Sequence, residues 1–187
     1  MRFDMTWLAN TLWDLLLTNG RNRSRVVAKP RQRPKLPARV KVHKPAEPAP
    51  ARATMQAKYD AVVVEMKARY HLHVRKWRKS SSGVAWEVRY RDGTVRKFIE
   101  SRYPRGPMSA AIFLHEVGHH AIGLGKHRPR CLEEYRVWVW AIHTMREKGL
   151  NVTPAVERRV ELSIRYAVGK ARRRGMRDVP EELARFT

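Results

Sequence analysis

Between Ser109 and Leu124 the chain reads Ala110-Ala111-Ile112-Phe113-Leu114-His115-Glu116-Val117-Gly118-His119-His120-Ala121-Ile122, an apolar run with ionisable groups at its centre. As a helix it is apolar on most sides, and such a helix is expected inside the fold. A desolvated imidazole–carboxylate–imidazole group is costly without partners, so the fold around it has to supply a metal ion or other polar contacts. Residues four apart on a helix lie one turn above each other, which lets His115 and His119 converge on one ion. Glu116, about 100° further round, reaches the edge of that site, where it can take a proton from water on the metal. Gly118 lets another backbone approach behind the site. The pattern is HExxH, and the ion it implies is Zn²⁺.

The rest of the chain divides by charge. Of 187 residues, 40 are Lys or Arg and 17 Asp or Glu, a net charge of +23. Residues 21–54 hold eleven Lys/Arg against Glu47 alone, net +10, together with six of the eleven prolines and no aromatic. Such a block cannot bury enough surface to offset its ordering entropy, and it reads as a disordered basic linker. Ahead of it, residues 1–20 form a short amphipathic helix through Trp7, Leu8, Leu12, Trp13, Leu15, Leu16 and Leu17. That stretch is broken by Asn10, Thr11 and Asp14 and falls short of the ~20 apolar residues of a bilayer span, so no membrane span and no export are expected. A single cysteine, Cys131, excludes an internal disulfide, fits a reducing, cytoplasmic setting and reads as a buried or incidental thiol.

Beyond the linker the periodicity gives an α+β order. A helix over 54–70 has Ala61, Val62, Met66 and Tyr70 as its stripe; a strand follows over 72–78, then a hairpin in which Val84, Trp86, Val88 and Tyr90 alternate with polar residues before Asp92-Gly93 turns the chain into 94–99. Ser109 is the expected N-cap of the HExxH helix. Two further helices are read over 132–148 and, from Pro154 capped by Thr153, to about Arg174. The expected organisation is a 55–150 domain and a helical basic extension over 151–187.

A catalytic zinc takes three protein ligands and leaves a position open. His127, Cys131, Glu133, Glu134 and His143 are the downstream candidates. The metzincin pattern fails, because Ile122 and Gly125 stand where its Gly and third His would be. An antiparallel helix after a short loop returns its first turn beside the end of the previous one, which favours a carboxylate from the pair Glu133-Glu134.

With these residues in place, the order of helix, three-stranded sheet, HExxH helix and Glu-bearing helix resembles the compact gluzincin-type metallopeptidases of the ImmA/IrrE kind. The tract Glu134-Tyr135-Arg136-Val137-Trp138-Val139-Trp140-Ala141 is similar to their second motif, Glu-x-x-Ala-(Asn/Asp)-x-Phe-Ala. The resemblance implies a minimal zincin-like fold and selects Glu134 as third ligand, with Val137 at the Ala position and Trp138 where a polar residue would orient the ligands. SprT-like DNA-associated proteases are a second relative in style and imply a histidine instead, His127 or His143.

The expected function is a zinc metallopeptidase with His115, His119 and Glu134 as ligands and Glu116 as general base, acting on a protein or peptide aligned along an edge strand, 94–99 or its neighbour. Tyr135, His143 and Tyr166 are equal candidates for a transition-state donor. The alternative is a nucleic-acid-binding or adaptor protein with a structural metal and no turnover. Arg21, Arg23, Arg25, Arg31 and Arg33 in the linker, and Arg172, Arg173 and Arg174 at the end of the last helix, would bind phosphates without reading sequence. Cations at that helix end also complement its dipole. Trp138 and Trp140, with Val137 and Ile142, are expected in the core.

Overall fold

The computed structural model describes residues 54–187. The helix read over 1–20 and the linker, with Arg21, Arg23, Arg25, Arg31 and Arg33, lie outside the described residues apart from Thr54. That residue opens the fold: its Oγ1 accepts from the Ala57 N–H at 3.3 Å and caps α1 (Met55–Tyr70). The buried stripe of α1 is Tyr59, Val62, Val63 and Met66, at i, i+3, i+4 and i+7. Ala61, expected in that stripe, is exposed, because the 3.6-residue period runs through Tyr59 and Val63 instead.

Three strands follow, β1 (Leu72–Trp77), β2 (Val84–Arg89) and β3 (Val95–Ser101). The β2–β3 hairpin forms at Asp92-Gly93, where Gly93 takes φ +83° and Asp92 Oδ1 accepts from the Thr94 N–H at 2.9 Å. The sheet order is β1-β3-β2, with β3 parallel to β1 and antiparallel to β2. This corrects one expectation: β3 has a partner on each side and has no free edge, so only β1 and β2 can accept an added strand.

Helix α2 (Pro107–Ile122) starts two residues before the expected cap. Pro107 fills the first helical position, and Ser109 sits inside the first turn, its Oγ accepting from the Arg105 and Gly106 N–H groups at 2.9 and 3.1 Å. Every residue from Ser109 to His120 is buried. The helix is the spine of the molecule, touching β2 and β3 on one side and α1, α3 (Arg130–Glu147) and α4 (Pro154–Arg173) on its others. Thr153 caps α4 as expected, with Oγ1 accepting from Val156 N–H at 3.4 Å. The stretch 151–187 adds Val156, Ile164, Val168, Leu183 and Phe186 to the same core as α1 and α2. The architecture is α+β, helices around a small three-stranded sheet, and among the described residues no helix is long and apolar enough to cross a membrane.

Val137 and Trp138 are buried and Trp140 half-buried on the face of α3 that meets α2. The approach is close at Gly118, where a Cβ would stand 2.9 Å from Val137 Cγ1 and 3.3 Å from the Val137 carbonyl oxygen. Gly118→Val is therefore expected to destabilise the fold by roughly 2 kcal/mol or more through overpacking. A urea midpoint equal to that of the wild type would show that α3 does not lie against this glycine.

Candidate metal centre

The first turn of α3 returns beside the last turns of α2, and this brings three donors together. The ligand atoms of His115, His119 and Glu134 all lie within 4.8 Å of one another. His115 Nε2 is 3.3 Å from Glu134 Oε2, and His119 Nε2 is 3.8 Å from Glu134 Oε1. Bonds of about 2.0–2.1 Å in a tetrahedral shell imply ligand–ligand edges of about 3.3–3.5 Å, which the His115–Glu134 spacing matches and the His119–Glu134 spacing slightly exceeds, and the group could hold a metal ion. Both imidazoles are buried, whereas the Glu134 side chain keeps 24% of its surface, which leaves the centre open on that side. Two imidazoles and one carboxylate are a donor set that a transition-metal dication accepts.

The Glu133-Glu134 pair divides its roles. Glu133, 1% exposed, accepts through Oε1 from His119 Nδ1 at 3.0 Å and from Arg130, and through Oε2 from the Gly125 N–H at 3.0 Å. With Nδ1 held as the donor, His119 presents Nε2 to the shared point, the usual arrangement of a carboxylate behind a metal-binding imidazole. Sequence reasoning weighed Glu133 only as a ligand and missed this role; the adjacency of two acids at a helix start, one able to turn toward Nδ1 of His119 and the other toward the two Nε2 atoms, was the available signal. Arg130 joins both, reaching Glu133 at 3.0 Å and Glu134 at 2.9 Å.

His115 is held differently. Its ring lies 4.2 Å from the Trp138 ring at 34°, and its Nδ1 is buried without a hydrogen-bond partner. The His115 ring is therefore held by packing against the indole and by its Nε2 contact with Glu134. Burial pushes His115 down to about 4, against the hydrogen bond it donates to Glu134. For His119 burial also works downward, but Glu134, Glu133 and Glu116 outweigh it and raise the group. Glu134 is held well below the usual carboxylate range: burial favours its neutral form, and His119, His115 and Arg130 overcome it.

Glu116 is 3% exposed and makes no hydrogen bond or ion pair among the described residues. Burial pushes it up to about 7, with His119 opposing and Glu134 reinforcing the rise. Its carboxylate packs against the backbone just before β2, where a Cβ on Gly83 would fall 2.3 Å from Glu116 Oε1. Gly83, which sequence reasoning read only as a connection between strands, makes room for this carboxylate. His120 faces away from the centre, with Nε2 on the Phe98 carbonyl at 3.1 Å and Nδ1 3.5 Å from Glu87, and ties α2 to the sheet.

The other candidates are not brought to the centre. His127 pairs with Arg136, exposed His143 with Glu147, and buried Cys131 with Met176 Sδ at 3.9 Å. The Tyr135 ring packs 6.0 Å from Phe186 and Tyr166 lies under Arg173, so none of the three proposed donors hydrogen-bonds to the ligands among the described residues. Arg172, Arg173 and Arg174 are exposed at the end of α4, where Lys170 is close enough for Glu134 and Arg130 to act on its ammonium, depressed first by burial. No protein-family model, curated protein or solved structure matches the chain.

Glu133→Gln is expected to lower zinc affinity by about 10-fold while the stoichiometry stays at that of the wild type, because Gln keeps an acceptor for Nδ1 and loses the charge. Glu134→Gln removes a ligand and is expected to cost far more. Competition against a chromogenic chelator measures both, and equal losses would make Glu133 a ligand after all.

Proposed function

We propose that the chain is a zinc-dependent metallopeptidase. The observation that carries this reading is the placement of Glu116, a buried carboxylate without a partner, beside three donors spaced for one ion. A site that served only to hold the fold together would have no use for it, and burying an idle carboxylate is costly. The partly exposed Glu134 side leaves room for a substrate, as a catalytic centre requires.

His115 and His119, through Nε2, and Glu134, through its carboxylate, would hold the ion. Zinc bound there supplies a Lewis acid that polarises a carbonyl and makes water acidic enough to be nucleophilic near neutral pH. Glu116 takes the proton from the attacking water on a carboxylate oxygen and delivers it to the leaving amine nitrogen. Glu133 and Trp138 keep the two imidazoles in register. The edge strand β2 begins beside Glu116 and offers its free backbone groups to an extended peptide, which would lie across the open side of the centre.

Zinc content decides the first half of the proposal: one equivalent in the wild type, and its loss in His115→Ala and Glu134→Ala. Full retention by His115→Ala would remove the site. For turnover, cleavage of a fluorogenic peptide library is expected to fall at least about 100-fold in Glu116→Gln with zinc retained. Gly83→Ala, which drives a methyl group into the Glu116 carboxylate, is expected to do the same more mildly. A Glu116→Gln protein that still cleaves at the wild-type rate would sink the mechanism.

A further inference from the structure

The hairpin has its more apolar face turned away from the core. Ala85 packs against the core and Glu87 reaches His120 of α2, so these residues of β2 face inward. Strand alternation then puts Val84, Trp86, Val88 and Tyr90 on the opposite face. Neither Trp86 nor its partner Phe98 belongs to the core or packs against it, and among the described residues no helix covers this face.

Register lines up the rings. His73, Phe98 and Trp86 stand opposite one another on the three strands. Trp86 and Phe98 are stacked at 5.5 Å with their planes 16° apart, and His73 follows at 5.5 Å from Phe98. The result is an aromatic row across the full width of the sheet. Cations flank it: Arg96 lies over the Tyr90 ring at 5.5 Å, and exposed Lys76 stands opposite Glu100. Glu100, the acid at this end of the row, is taken by Arg78 at 3.0 Å.

An apolar partner would bury Arg96 and Lys76 without compensation, whereas a polyanion with flat apolar rings satisfies both parts of the surface. Bases stack on aromatic side chains irrespective of sequence, and phosphates pair with the flanking cations. We propose that the open face of the sheet is a binding site for single-stranded nucleic acid. Bases stack on Trp86 and Phe98, and Arg96 and Lys76 hold the phosphates. The site is separate from the basic linker and from the end of α4, and it lies across the sheet from the metal ligands. Its occupation does not depend on zinc or on peptide cleavage.

The test uses the full chain and fluorescein-labelled dT12 and U12 in anisotropy titrations. Trp86→Ala and Phe98→Ala are each expected to weaken binding about 10-fold, while Trp86→Phe stays within about 3-fold of the wild type. Arg96→Ala and Lys76→Ala should each reduce the slope of log affinity against log salt by about 1. Glu116→Gln should bind as the wild type does. Thermal melts of the ring variants within a few degrees of the wild type keep the comparison sound, because these rings lie outside the core. Wild-type affinity in both alanine ring variants would overturn the proposal and assign binding to the tails. Absence of binding by the full chain at low salt, as a face covered by residues 1–20 or by a second copy would give, would overturn it equally. Binding of dT12 and U12 alike is expected from stacking; a duplex of the same length bound more tightly than either would count against it.

Discussion

The structure turns on a carboxylate that has no access to water. Glu133 takes the His119 Nδ1 proton, the Gly125 N–H and the Arg130 guanidinium with its two oxygens. One interaction thus fixes three things: the end of α2, the loop that follows it and the first turn of α3. Remove it and neither the direction of His119 Nε2 nor the approach of Glu134 is determined, because both depend on how α3 re-enters beside α2. The cost of desolvating Glu133 is compensated by hydrogen bonds to charged and backbone donors, the condition under which a buried carboxylate is tolerated.

Packing does for His115 what hydrogen bonding does for His119. Trp138 and the Val137 contact at Gly118 set the spacing between α2 and α3, so the two imidazoles are held by unlike means on the same helix. The consequence is an asymmetry in the centre. His119 is coupled to charge through Glu133, while His115 sits in an apolar setting that favours its neutral form. Burial thus favours the neutral form of His115, whereas the carboxylates around His119 favour its protonated form.

Helices with strong local signals were legible in the sequence. Thr54 and Thr153 as caps, Pro154 at a first helical position and the Asp92-Gly93 turn are local chemistry, and each stands where the residues place it. The approach of His115 and His119 to a carboxylate of the Glu133-Glu134 pair followed from the i, i+4 spacing and a short loop between antiparallel helices, while the choice of Glu134 came from the resemblance of its tract. What could not be read was anything set by tertiary geometry. Strand order is one case: nothing in the residues 94–99 says that β1 will join them on the far side and make β3 central. The helix stripe of α1 is another, since Ala61 and Val63 are both apolar and only the packing partner chooses between them. The division of labour between Glu133 and Glu134, about 100° apart on one helix turn, is a third.

Charge shows how far the centre departs from the rest of the chain. The protein carries 40 Lys/Arg against 17 Asp/Glu, yet buried Glu116 and Glu133 and partly exposed Glu134 gather around the same two histidines. Arg130 is hydrogen-bonded to Glu133 and Glu134, and Arg130 and Arg78 both favour the charged form of Glu116 against its burial. The His115, His119 and Glu134 group could hold a metal ion, and a cation there would offset part of the negative charge. Lys170, at the end of α4, is close enough for Glu134 to act on its ammonium, and the ligand atoms of His115, His119 and Glu134 lie within 4.8 Å of one another.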